Sequence, residues 1–367
     1  MDSSFEINVG SIEGALAALS NPATTQAARL ELENNLTAFK GKIEAHWHID
    51  IVQIEQVPNP PPPPKSNPHF ASSFPSPVGN PSSWEFALAC LCRVLPSSVP
   101  YSPPHQPQSR PSESMQFYCA SILDHVSTPR LFDTFPSQFQ SRLLTETHDA
   151  LLQVHAHLYN SALVKLISAY ARLGRCSVTE QDASFLVDAL NLLTASTPSV
   201  ALLGSRVFAT ICEEFPSSTP SSPLSGSQYL TVQRTLLAAL PSFGVCLLVP
   251  LTHHREHPEV VRHCLLALSA VLSFPTNHDS KMMSLADVSL CVTVELVTAL
   301  FQLAQPGGGS RAAALECVNE VVRRNCWPGE RAVECLMAVT TNAAGIVQKV
   351  AEGMEGGEGI GDEDEGQ

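Results

Sequence analysis

Residues 311–327 read RAAALECVNEVVRRNCW. Two readings compete for this stretch. In one, Glu316, Cys317, Glu320 and Cys326 gather a metal ion. In the other, the stretch is a helix that buries one stripe. Ala313, Cys317, Val318, Val321 and Val322 fall at helical spacing on one side, while Arg311, Glu316, Glu320, Arg323 and Arg324 fall largely elsewhere. Apolar residues at i, i+4 and i+8 mark an amphipathic helix. The choice turns on whether the rest of the chain repeats the pattern.

It does. Helical periodicity runs through 11–20, 24–43, 84–95, 112–126, 137–154, 157–174, 179–195, 199–215, 227–251, 258–274, 284–304, 310–326 and 328–352. The spacing predicts a helix end at Gly174, a C-capping glycine. It predicts a start at Thr179, with Asp182 three residues on as in a capping box. A kink is expected at Pro241. No alternating strand and no Asn-Gly or Asp-Gly hairpin turn stands out. The expected class is all-α.

The helices come in pairs whose first members begin near 137, 180, 227, 284 and 328. Paired helices at such intervals point to a HEAT-repeat α-solenoid. Two packed helical bundles are the competing arrangement. Three Pro-rich insertions interrupt the series, at 57–83, 96–112 and 216–225, where proline excludes helix. The expected organisation is one solenoid over 1–352 and a disordered acidic tail over 353–367. The last helix, with Leu336, Met337, Val339 and Ile346, would close the array and leave an uncovered apolar face.

Composition narrows the function classes. Apolar residues make up 44% of the 367, enough for a core, and the net charge is −14. With only six lysines, the chain lacks the cationic footprint of a nucleic-acid binder; a basic protein partner suits it better. The eleven cysteines sit mostly in apolar runs and show no paired framework, as expected of buried thiols in a reducing compartment. The N-terminus MDSSFEINVG does not resemble a secretory signal. The most apolar run, 236–251, is broken by Pro241, Gly244 and Pro250. It reads as a core segment and not a membrane span.

Chemistry is sparse. His253, His254 and His257 have a zinc-compatible spacing but lie in a connection, where an incidental solvated cluster is the default. His46 and His48 flank Trp47 in an apparent surface turn. Cys90 and Cys92 lack the CxxC spacing. Cys119 and His125 fall on different sides of one helix. Gly307–Gly309 precede a helix that can attract an anion, but no phosphate-loop motif accompanies them. The expectation is a binding protein with no catalytic residues, metal or cofactor.

Five segments carry a family resemblance: SSWEFALACL (82–91), MQFYCASILDHV (115–126), HLYNSALVKLISAYARLG (157–174), VFATICEEF (207–215) and ALECVNEVVRRNCWP (314–328). They resemble the N-terminal arch of nuclear export receptors in the importin-β superfamily, and most resemble members that export actin–profilin. The resemblance implies a shuttling receptor, in nucleus and cytoplasm, that binds Ran-GTP, protein cargo and nuclear pore proteins. It implies Ran contacts at Tyr118, Asp124, Asn160 and Lys165 on inner helices. Ser161 stands where the family has Lys. Arg172-Leu173-Gly174-Arg175-Cys176 replaces its Asp-Trp-Pro. Family members are much longer, so the chain reads as a truncated or split version. The alternatives are a HEAT scaffold without a transport role, a non-functional fragment of such a receptor, or an enzyme built on the histidine cluster.

Overall fold

The computed structural model describes residues 9–38, 83–92, 111–179, 182–215, 226–273, 290–305, 309–324 and 331–355. The Pro-rich insertion at 216–225, most of those at 57–83 and 96–112, His46–His48 and the tail beyond Glu355 lie outside them. Every regular element among the described residues is a helix. They are α1 (Val9–Ser20), α2 (26–38), α3 (Ser83–Cys92), α4 (Glu113–Val126), α5 (Pro129–Phe132), α6 (Ser137–Val154), α7 (Asn160–Ser177), α8 (Ser184–Leu193) and α9 (Pro198–Glu214). Then come α10 (Gly226–His253), α11 (Pro258–Leu272), α12 (Val294–Leu303), α13 (Arg311–Arg323) and α14 (Ala332–Glu355). The chain is all-α, as its periodicity predicts.

Packing divides it into two compact units. One comprises residues 1–127 and 145–169, the other 128–144 and 170–367. In the first, α4 packs on α3 and α1. Trp84, Met115, Cys119, Ile122 and Leu123 are buried there. The Tyr118 hydroxyl donates to the Leu36 carbonyl at 3.0 Å, tying α4 to α2.

The second unit has a regular contact order. α8 packs on α9, α10 on α11, and α12 on α13. Each helix also packs on the one two places along: α8 on α10, α10 on α12, α12 on α14, α9 on α11, and α11 on α13. Aromatic contacts bridge them. Phe208 of α9 and Phe243 of α10 stack with centroids 4.0 Å apart, and Phe185 of α8 meets Phe215 at 6.2 Å. Burial of such side chains is worth about 1.5–3 kcal/mol each and is the main term holding the helices together.

Several boundaries differ from the periodicity, each for a physical reason. α7 runs past Gly174 to Ser177. Gly174 is not a cap: a Cβ there would overlap the Phe185 ring. Glycine serves close approach at this point. α8 begins at Ser184, not Thr179. The Thr179 hydroxyl accepts from the Asp182 amide at 3.0 Å, and the Asp182 carboxylate accepts from the Ser184 amide at 2.9 Å, so these polar side chains build a turn ahead of the helix. α12 starts only at Val294, where the Thr293 hydroxyl caps the Leu296 amide at 3.1 Å.

The helix expected over 227–251 forms as the 28-residue α10, which runs through Pro241 and Pro250. It is long and apolar enough, by length and composition, to cross a membrane. Its buried side chains include Val232, Leu236, Leu240, Phe243, Leu247 and Leu251, and it packs on α8, α11 and α12. Gly244 lets the Cys291 carbonyl approach the helix more closely than any side chain would allow.

Candidate functional site

α4 and α7 carry the four residues singled out by resemblance. Ser112 starts α4, its hydroxyl accepting from the Met115 amide at 3.3 Å. Glu113, Phe117 and Asp124 then fall four and seven residues apart, on one stripe. Phe117 is 45% exposed. On α7, Ser161, Val164 and Lys165 form the matching stripe, with Val164 also exposed.

Polar contacts lock the two helices. Ser161 Oγ donates to Glu113 Oε1 at 2.9 Å. Lys165 Nζ lies 2.6 Å from Asp124 Oδ2. Between the chains that lead into each helix sits Gln116, a buried amide. Its Nε2 donates to the Pro111 carbonyl at 2.9 Å, and its Oε1 accepts from the Tyr159 amide at 3.0 Å. Satisfied on both ends, Gln116 is a fixed joint. Periodicity alone does not single it out; only a glutamine at an otherwise apolar position signals it.

The four expected contacts separate by placement. Tyr118 is buried, and burial holds its phenol well above the usual range; it ties α4 to α2 and offers no surface. Asn160 is exposed at the first turn of α7. Asp124 and Lys165 lie together at the surface of the α4–α7 ridge and engage each other. Phe117 and Val164 stay exposed beside this pair.

The other chemical readings do not assemble. His254 is buried, its Nε2 3.1 Å from the Ala195 carbonyl, and its ring meets His257 edge-on at 6.1 Å. His253 is exposed at the end of α10. Among the described residues no three His, Cys, Asp or Glu gather as metal ligands. In the stretch 311–327, Cys317 faces inward, its thiol donating to the Leu265 carbonyl of α11 at 3.5 Å, while Glu316 is exposed. Glu320 is held by Arg323 at 2.6 Å and by Arg324; this neighbourhood draws its carboxyl down to about 2, led by the hydrogen bond from Arg323. Cys326 lies outside the described residues. The stretch is a packing helix with a charged outer side.

Gly309 and Ser310 line a small pocket with Arg255, Pro258, Gln302 and Gln305 at the start of α13. The N-cap residue Ser310 makes no side-chain capping bond, and Gly307 and Gly308 lie outside the described residues. Cys90 is buried beside half-buried Cys92 on α3. Cys119 is buried in α4 while His125 is exposed. No disulfide joins the ten described cysteines.

No protein-family model matches the chain, and no curated protein matches it.

Proposed function

We propose that the protein is a binding receptor built as a HEAT-type α-solenoid, of the importin-β export kind. The observation that carries the solenoid is the contact order of α8 to α14. From α8 to α13 each helix packs on its hairpin partner, and from α8 to α12 each packs on the helix two places along. Quasi-one-dimensional stacking of helical hairpins has this neighbour rule, and a closed bundle does not.

The export role rests on the resemblance of 82–91, 115–126, 157–174, 207–215 and 314–328. In this reading Ran-GTP and protein cargo, of which actin–profilin is the first to test, bind together. Each tightens the other by the same factor, and GTP hydrolysis releases both. The α4–α7 ridge is the first Ran surface to test, through Phe117, Asn160 and the Asp124–Lys165 pair. The acidic chain attracts a basic partner.

The test is binding of the purified chain to Ran loaded with GTP or GDP, at low and physiological salt. GTP-selective binding that weakens on Phe117→Ala supports the reading. A folded helical chain that binds neither form overturns it. A scaffold without a transport role is the second reading. It is favoured by the mutual pairing of Asp124 and Lys165, which leaves little unspent charge on the ridge.

A further inference from the structure

α14 is held on α12 along one side. Arg331 reaches Glu295 at 3.4 Å near one end, and Lys349 Nζ donates to Gln305 Oε1 at 2.8 Å near the other. Cys335 and Ile346 are buried between them. The opposite side carries Val333 (69% exposed), Leu336, Met337 (63%) and Val347 (68%), with Thr340 and Ala344 exposed among them. At 100° per residue these six side chains form one stripe along four turns. Residues 335–348 read CLMAVTTNAAGIVQ, without a single charge. An exposed helix face that is apolar and uncharged over that length marks an interaction surface.

The order of residues along the stripe says what fits it. Bulky Leu336 and Met337 lie toward one end and small Ala344 toward the other, with Thr340 between. Two such helices laid antiparallel about a two-fold axis at Thr340 put Val333 against Val347 of the copy, and Leu336 and Met337 against its Ala344. Large meets small on either side of the axis, Thr340 meets its own copy on it, and valine meets valine at both ends. A parallel pair sets Met337 on Met337 and leaves a gap at Ala344. The chain's net charge of −14 opposes association of copies, and residues 335–348, being uncharged, add nothing to that repulsion.

We propose that α14 is a self-association surface on which a second copy of this chain docks antiparallel, in an isologous two-fold contact. The proposal does not depend on the export reading. One helix pair falls at the small end of specific interfaces, below about 1,200 Å², so the dimer is reversible and micromolar.

Sedimentation of the full chain from about 1 to 100 μM, the range such an interface calls for, tests this. The expected result is a shift from monomer to dimer mass. Met337→Glu and, separately, Val333→Glu weaken the dimer by about tenfold or more with an unchanged circular-dichroism spectrum, whereas Val187→Glu on α8 leaves it intact. Thr340→Cys with a short bismaleimide gives a covalent dimer that the unaltered chain does not give, because Thr340 alone meets its own copy at the axis. Monomer mass throughout the range overturns the proposal and leaves the face to a different protein. A dimer indifferent to both α14 variants, or Thr340→Cys without cross-linking, also overturns it.

Discussion

Lys165 Nζ of α7 lies 2.6 Å from Asp124 Oδ2 of α4, at the exposed edge of the ridge that also carries Phe117. The lysine side chain keeps 35% of its exposure and the aspartate 14%. A part-exposed pair contributes about 0.5–1 kcal/mol and is screened by salt. Lys165→Ala is therefore expected to cost about that much in urea unfolding. The exchanged pair, Asp124→Lys with Lys165→Asp, recovers most of the loss. A double-mutant cycle with zero coupling would show that the contact contributes no stability.

Arg175 tells the opposite story. It is 1% exposed within α7, beside Glu214 and Tyr229 and near Arg172. Burial lowers its pKa, and the neighbouring Cys176, Glu214 and Tyr229 raise it. Arg172 Nε also donates to Glu214 Oε1 at 3.1 Å, joining α7 to α9. Breaking a buried charge network by removing one partner costs about 3 kcal/mol. Arg175→Ala is expected to lower the urea midpoint accordingly, and Arg172→Ala much less. Equal effects at the two positions would contradict this placement.

The thiols are expected to be slow. Burial pushes Cys176, Cys264 and Cys317 up to about 12, and Cys92 to about 11. At pH 8 a thiol of pKa 12 holds about 10⁻⁴ of its population as the reactive thiolate. A chromogenic disulfide reagent should therefore label these four slowly in the native chain and all eleven cysteines in denaturant. Cys176 reacting at the rate of a small free thiol would refute the burial argument.

Helix existence was legible because period 3.6 depends only on which residues are apolar, and α4, α6, α9, α11 and α13 fall within a residue or three of the expected limits. What escaped depends on partners distant in sequence. α7 runs past Gly174 to Ser177, because that glycine meets the Phe185 ring of α8. α5 is four residues long, too short for a period to register. Gln116 and Arg175 are polar residues whose burial follows from what packs around them. For the candidate site, the quoted motifs located α4 and α7, but their spacing could not tell that Tyr118 points inward while Phe117 points out.

Glu320 supplies a pH signature. Its carboxyl is drawn from an ordinary 4.5 to about 2 by Arg323 and Arg324. A folded-state pKa below the unfolded one stabilises the fold above about pH 4.5, and that contribution disappears as pH falls toward 2. The unaltered chain is thus expected to lose stability faster than Glu320→Gln across that window. Parallel pH profiles of the thermal midpoint would remove Glu320 from the account.

Gly174 provides the sharpest test of packing, because two physical terms oppose each other there. Ala in place of Gly inside a helix gains about 1 kcal/mol in propensity. The Cβ it adds would overlap the Phe185 ring, which sits edge-on to Tyr170 with centroids 5.0 Å apart. Overpacking of this kind costs about 1–3 kcal/mol, since the ring must leave its well. The collision wins, and Gly174→Ala is expected to destabilise the chain modestly. The decisive measurement is the double variant with Phe185→Leu, whose smaller side chain makes room for the methyl. If the glycine serves the ring, the Ala substitution becomes neutral or favourable in that background, and the two positions couple by more than about 1 kcal/mol. Additive losses in urea unfolding would mean that Gly174 serves the backbone instead, as a C-cap would require.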